Sequence, residues 1–153
     1  MARFTWRAKH EVFLAPVDAE HRDLSRIADE LHAAVTKGAP QDAVSEHLHH
    51  LAAYMAERFS HEEELMRVVC YPSLRWHTSQ HDTARKRLKL LAPLVEAGDR
   101  QAARLLFHFL ACWLHDHTTL TDRMMAAYVR NHERTHAATF VNRGYWTLAL
   151  PAN

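Results

Sequence analysis

Four stretches of this chain carry apolar residues at three- and four-residue steps, and each apolar stripe is interrupted by groups that titrate. In the first stretch the stripe runs His21, Leu24, Ala28, Leu31, Val35. In the second it runs Val44, Leu48, Leu51, Met55, Arg58, Glu62, Leu65, Val69. The third gives Leu74, His77, His81, Ala84, Leu88, Leu91, and the fourth Leu106, Leu110, Trp113, His117, Leu120, Met124. A helix with such a stripe has to bury it against a neighbour. A buried imidazole, carboxylate or guanidinium is costly unless it finds a partner. The two demands together select packed helices with a polar cluster inside.

Punctuation residues set the expected boundaries. The first helix is expected from Asp18, as its N-cap, to Lys37, where Gly38 and Pro40 stop it. The second runs from about Asp42 to Val69 and breaks at Tyr71-Pro72. The third begins after Pro72, a residue suited to the first helical position; Pro93 should kink or fray its end, and Gly98 marks the turn. The fourth runs from near Asp99 to about Tyr128. Short links between long helices favour antiparallel neighbours, so the expected fold is all-α, an up-down-up-down antiparallel four-helix bundle. One domain over 1–153 is expected, with the bundle at about 18–128. An N-terminal arm with Phe4, Trp6, Phe13 and Val17 precedes it. A C-terminal extension over 129–153, with Phe140, Tyr145, Trp146, Leu148 and Leu150, follows; both carry enough apolar surface to dock on the bundle.

A chain of 153 residues can build one domain with a real core. A net charge of +1 with interspersed signs offers no field for nucleic acid or an acidic membrane. No apolar run approaches the length of a membrane span. Residues 1–14 lack the apolar core of a signal peptide, and Cys70 and Cys112 fit no disulfide framework, so a reducing cytoplasm is the expected location.

Histidine is the outlier, with 14 copies. His77 and His81, four apart, lie a turn apart on one helix face, where two imidazoles can grip one ion. Glu62 either joins them or pairs with Arg58 one turn earlier. His117 and Asp122, five residues apart, diverge by about 140° on an ideal helix. They could flank a site broad enough for two metals, or a π-bulge between them could swing Asp122 inward. His21 alone would be an ordinary core histidine; its weight comes from the others. A metal ion is the partner that satisfies several imidazoles and carboxylates at once, which makes His21, Glu62, His77, His81, His117 and Asp122 the candidate ligands.

The combination resembles the hemerythrin family in its single-domain prokaryotic form. The likeness spans roughly residues 4 to 128 and rests on Trp6, on Val17-Asp18-Ala19-Glu20-His21-Arg22-Asp23-Leu24, and on Arg58-Phe59-Ser60-His61-Glu62-Glu63-Glu64-Leu65-Met66. It continues through Tyr71-Pro72, His77-Thr78-Ser79-Gln80-His81 and Trp113-Leu114-His115-Asp116-His117 to Asp122. The resemblance implies a non-haem di-iron centre, oxo- or hydroxo-bridged. In it His77, His81 and His117 hold one iron, Glu62 and Asp122 bridge both, and His21 sits on the second. The first iron would be coordinatively full, and the second would bind dioxygen reversibly at an open position.

One position departs from the family pattern, which expects histidine where this chain has Arg58. A guanidinium stays protonated and has no lone pair to give a metal. Three outcomes are open. Water, Tyr54 or His61 fills the gap; the second iron is labile or absent; or Arg58 sets a fixed positive charge beside an iron that binds anions. Arg58 could also snorkel to solvent or clamp Glu62. The favoured expectation is an oxygen-binding protein, a carrier, store or sensor, working with an unidentified reductant. The alternative is an enzyme acting on oxygen, peroxide or nitric oxide, or an iron-handling protein.

Overall fold

The computed structural model describes residues 3–140, with side chains described through residue 132. Helices α1 (Ala15–Lys37), α2 (Gln41–Val68), α3 (Leu74–Glu96) and α4 (Arg100–Asp116) follow one another across short links. A π-helical turn, His117–Thr121, joins α4 to α5 (Asp122–Phe140), and a 3-10 turn, Ala8–His10, lies in the arm. The described residues contain no strand. Helix α2 packs on α1 and on α3, and α3 packs on α4, which gives the four-helix bundle expected from the stripes.

The links show how the sequence stops its helices. Gly38 takes the left-handed conformation, φ 70°, that closes a helix end at low cost. The N–H of Ala39 then returns to the carbonyl of Ala34 at 2.9 Å. Asp99 caps α4, its Oδ1 accepting from Gln101 N–H at 2.8 Å and Ala102 N–H at 3.1 Å. That satisfies donors which the first turn of a helix leaves orphaned.

Three expectations need correction. Asp18 is not the N-cap of α1: the helix starts at Ala15 with Pro16 in its first turn and Leu14 as N-cap. The buried Asp18 carboxylate instead accepts Val12 N–H at 2.8 Å and ties the arm down. Helix does not end near Tyr128 but continues through α5 to Phe140. Leu120 and Met124 are 55% and 47% exposed, so they are not core. A π turn carries an extra residue, which shifts the downstream register and buries Met125 in their stead. Pro93 sits in the last turn of α3, which ends at Glu96. Within the tail, the side chain of Phe140, and Tyr145, Trp146, Leu148 and Leu150 altogether, lie outside the described residues.

The arm is held by its own anchors. Phe4 enters the core and Trp6 packs against it, while Phe13 stays exposed. The His10 ring pairs with His115 at 3.1 Å, and Arg123 donates to the carbonyls of Lys9 at 2.5 Å and Glu11 at 3.1 Å.

The apolar interior falls into two blocks. The larger holds Leu24, Phe59, Ala84 and Leu114; the smaller holds Val17, Leu65, Met66, Val69 and Met125. Along α1 the stripe passes Val17, His21, Leu24; along α2 it passes Phe59, Glu62, Leu65. A polar layer therefore lies between two dry blocks. The up-down order brings the start of α1, the end of α2, the start of α3 and the end of α4 to this one level.

Candidate metal centre

Each chemical side chain reaches this layer for a local reason. His77 and His81 share one face of α3 because they are a turn apart. His117 and Asp122 share a face because the intervening turn is π-helical, with Asp122 N–H bonded to the His117 carbonyl in place of the usual i→i−4 bond. The five-residue spacing thus places both inside, and both are buried.

Ligand atoms from Glu62, His77, His81, His117 and Asp122 all lie within 4.8 Å of one another. Glu62 Oε2 is 3.0 Å from His81 Nε2 and 3.4 Å from His77 Nε2. Asp122 Oδ1 is 3.0 Å from His117 Nε2 and 3.2 Å from His77 Nε2. His21 lies on the other oxygen of Asp122, its Nε2 2.7 Å from Oδ2. Arg58 is fully buried among them, its Nη2 2.6 Å from Asp122 Oδ2 and 2.7 Å from Glu62 Oε1, and bonded to His21 Nε2. Its contact with Glu62 is a close ion pair without hydrogen-bond alignment, since Oε1 has no aligned donor.

Burial alone would raise both carboxyls of the cluster. Arg58 outweighs it at Glu62, and His117 and Arg58 outweigh it at Asp122, so both are held well below the ordinary carboxylate range. Burial, and then the Arg58 charge, lower His21. At His77 burial works against the charge, but Asp122 and Glu62 outweigh it and raise the imidazole to about 9. Burial lowers His81 despite Glu62, so it is neutral at pH 7.

The donor set fits a cation. His81 Nδ1 lies 2.9 Å from Glu63 Oε1, which holds the ring proton at Nδ1 and leaves a lone pair at Nε2. That lone pair faces an oxygen of Glu62 and, at 3.2 Å, His117 Nε2. The His81 lone pair and Glu62 Oε2 face each other with no proton between them, and before any metal binds the proton that Asp122 and Glu62 hold on His77 offsets the crowded negative charge. Both nitrogens of His77 and Nδ1 of His117 are buried without an aligned partner. A metal ion removes the conflict by accepting the lone pairs.

Sequence reasoning missed several supports. Glu63 takes Nδ1 of His81 and is itself held by Arg85 at 2.9 Å. The stripe turned Glu62 inward, but the run Glu62-Glu63-Glu64 gave no signal that Glu63 beside it would also meet an imidazole. Phe59 stacks on His81 at 4.1 Å and Trp113 on His117 at 4.2 Å, backing two imidazoles with aromatic planes. Tyr54 and His61 stand away from the convergent donors. Tyr54 donates to the Glu20 carbonyl at 3.4 Å, and His61 pairs with the Glu20 carboxylate at 2.8 Å while half exposed.

Buried imidazoles and carboxylates converging inside antiparallel helices define a metal-binding helical-bundle protein. The model of the hemerythrin HHE cation-binding domain matches residues 12–129, and the chain belongs to that family. A bacteriohemerythrin of Clostridium acetobutylicum is 23% identical over 124 residues, which cover 78% of this chain and 96% of that protein.

Proposed function

We propose that this chain is a non-haem iron protein whose buried centre binds dioxygen or a related small ligand, as a carrier, store or sensor. His77, His81, His117, Glu62 and Asp122 hold iron in this reading. What carries it is the convergence of five buried donors on one point, with imidazole nitrogens left unpartnered by protein. Iron, when bound there, supplies a redox-active Lewis acid. The protein supplies the rest. Glu63 keeps the proton of His81 on Nδ1, so that Nε2 stays a donor. The two apolar blocks exclude bulk water from the layer between them. Phe59 and Trp113 fix the ring planes of His81 and His117.

The second iron that the family resemblance implies would need ligands on the outer side of the carboxylates, where Arg58 and His21 lie. A second reading, an enzyme acting on oxygen, peroxide or nitric oxide, is favoured by one observation: Nη1 and Nε of Arg58 are buried without an aligned acceptor. These are donors available to an anionic ligand. The experiment is optical. Protein reconstituted with ferrous iron under argon is exposed to oxygen. A charge-transfer band that forms and vanishes on degassing supports reversible binding. Rapid irreversible oxidation with peroxide turnover supports the enzyme.

A further inference from the structure

Both carboxylates of the cluster are split between two sets of neighbours. Glu62 turns Oε2 toward His81 and His77 but Oε1 toward Arg58. Asp122 turns Oδ1 toward His117 and His77 but Oδ2 toward Arg58 and His21. The two inner oxygens face three imidazoles. The two outer oxygens converge on a single nitrogen, Nη2 of Arg58, at 2.7 and 2.6 Å, and the same nitrogen contacts His21 Nε2. Two carboxylate oxygens and one imidazole nitrogen around one point are the donor set a metal cation would take. Here that point is a guanidinium nitrogen.

Arg58 cannot vacate the place cheaply. Its side chain is 1% exposed, so it has no path along which to snorkel. Its charge is permanent, and removing its carboxylate partners would leave it buried and unpaired. A divalent ion at the outer oxygens would have to displace the guanidinium and then share the pocket with it. Nη2 lies within hydrogen-bond reach of Asp122 Oδ2 and of His21 Nε2, and that same Nε2 lies 2.7 Å from Asp122 Oδ2, so His21 has protein partners that are not a metal.

We propose that the Arg58 guanidinium stands in the place of a second cation, so that the centre holds one metal ion and His21 serves Arg58. The ion is gripped by His77, His81, His117, Glu62 and Asp122, a set that rests on the metal-centre reading above. Arg58 then does structurally what a second ion would do: it neutralises and aligns the outer faces of both carboxylates, before any metal arrives.

The test is stoichiometry. Full-length protein is saturated with ferrous iron under argon, desalted, and its iron and protein are measured. One iron per chain is expected, with the isolated high-spin signal of a single ferric ion after oxidation and one electron per chain in a redox titration. Two irons per chain with a magnetically coupled spectrum would overturn the proposal and leave the metal-centre reading intact. No bound iron in protein of normal helix content would overturn both. Arg58→His should raise the count to two. Should that variant not fold, His21→Gln provides an independent check in protein that keeps Arg58. Its iron count and the spectrum of its single ferric ion are expected to match the parent, whereas loss of the iron or a changed nitrogen-coordination signature in that spectrum would make His21 a ligand and overturn the assignment.

Discussion

The carboxylate of Glu63 is expected to set the strength of the metal site although it does not face the convergent donors. Its Oε1 takes both the Nδ1 proton of His81 and a hydrogen of Arg85, each at 2.9 Å, in a nearly buried position. In Glu63→Ala, His81 loses the acceptor that keeps its proton off Nε2. The proton then competes with the metal for the lone pair. A hydrogen bond to a charged group contributes about 1.5–3 kcal/mol. At about 1.4 kcal/mol per factor of ten, the loss is roughly 10–100-fold in metal affinity. Glu63→Gln keeps a carbonyl oxygen for Nδ1 and loses only the charge, so it should fall between the parent and alanine. The assay is competition for zinc and for ferrous iron against a chromophoric chelator, with circular dichroism to establish that each variant is folded. An alanine variant that folds and binds as tightly as the parent would refute the tautomer argument.

Further outcomes follow from other parts of the molecule. Leu106 is fully buried in the larger block, so Leu106→Ala should cost about 2–5 kcal/mol in urea unfolding, and a loss near zero would mean the block is not close-packed. Burial pushes the Tyr54 phenol up to about 12, so it stays protonated and off the metal at neutral pH. Tyr54→Phe should leave the visible spectrum of the iron form unchanged. Because that folded value lies above the ordinary 10.0, the phenol's contribution to stability is present below pH 10 and lost as pH rises toward 12. An ultraviolet titration placing Tyr54 near 10 would contradict this. Deleting the exposed Leu120 should convert the π turn to regular helix, with His117 and the following aspartate still on one face, one turn apart. Metal bound per chain should not change, and its loss would show that the π geometry itself, not the shared face, positions Asp122.

Much of this architecture was legible in the stripe. Replacing one leucine per turn by His21, Glu62, His77, His81 and His117 identified both which faces turn inward and at what level they meet. Asp122 was legible only through its misfit: five residues from His117 demands either divergence or an extra residue in the turn, and the chain uses the second. Other features depend on contacts that spacing does not encode. Asp18 stands where a cap belongs, yet its carboxylate serves Val12 of the arm, because Pro16 already starts the helix without needing a donor satisfied. Glu62, Glu63 and Glu64 are chemically identical in the sequence, and only the position of His81 across the interface selects Glu63 as its partner. Arg58 was legible as a departure. That one of its nitrogens joins two carboxylates and an imidazole depends on two other helices, α1 and α5, and could not be read from α2 alone.

The indole of Trp113 lies flat on the imidazole of His117, centroids 4.2 Å apart and planes within 15°. This stack gives the bundle a native optical gauge. An open-shell ion on that imidazole drains the excited state of an indole in van der Waals contact, so emission should dim as iron loads and brighten as a chelator strips it. Zinc, with a filled shell, should leave the glow in place. Occupancy can therefore be followed in unlabelled protein, and Trp113→Phe should remove the part of the signal that responds.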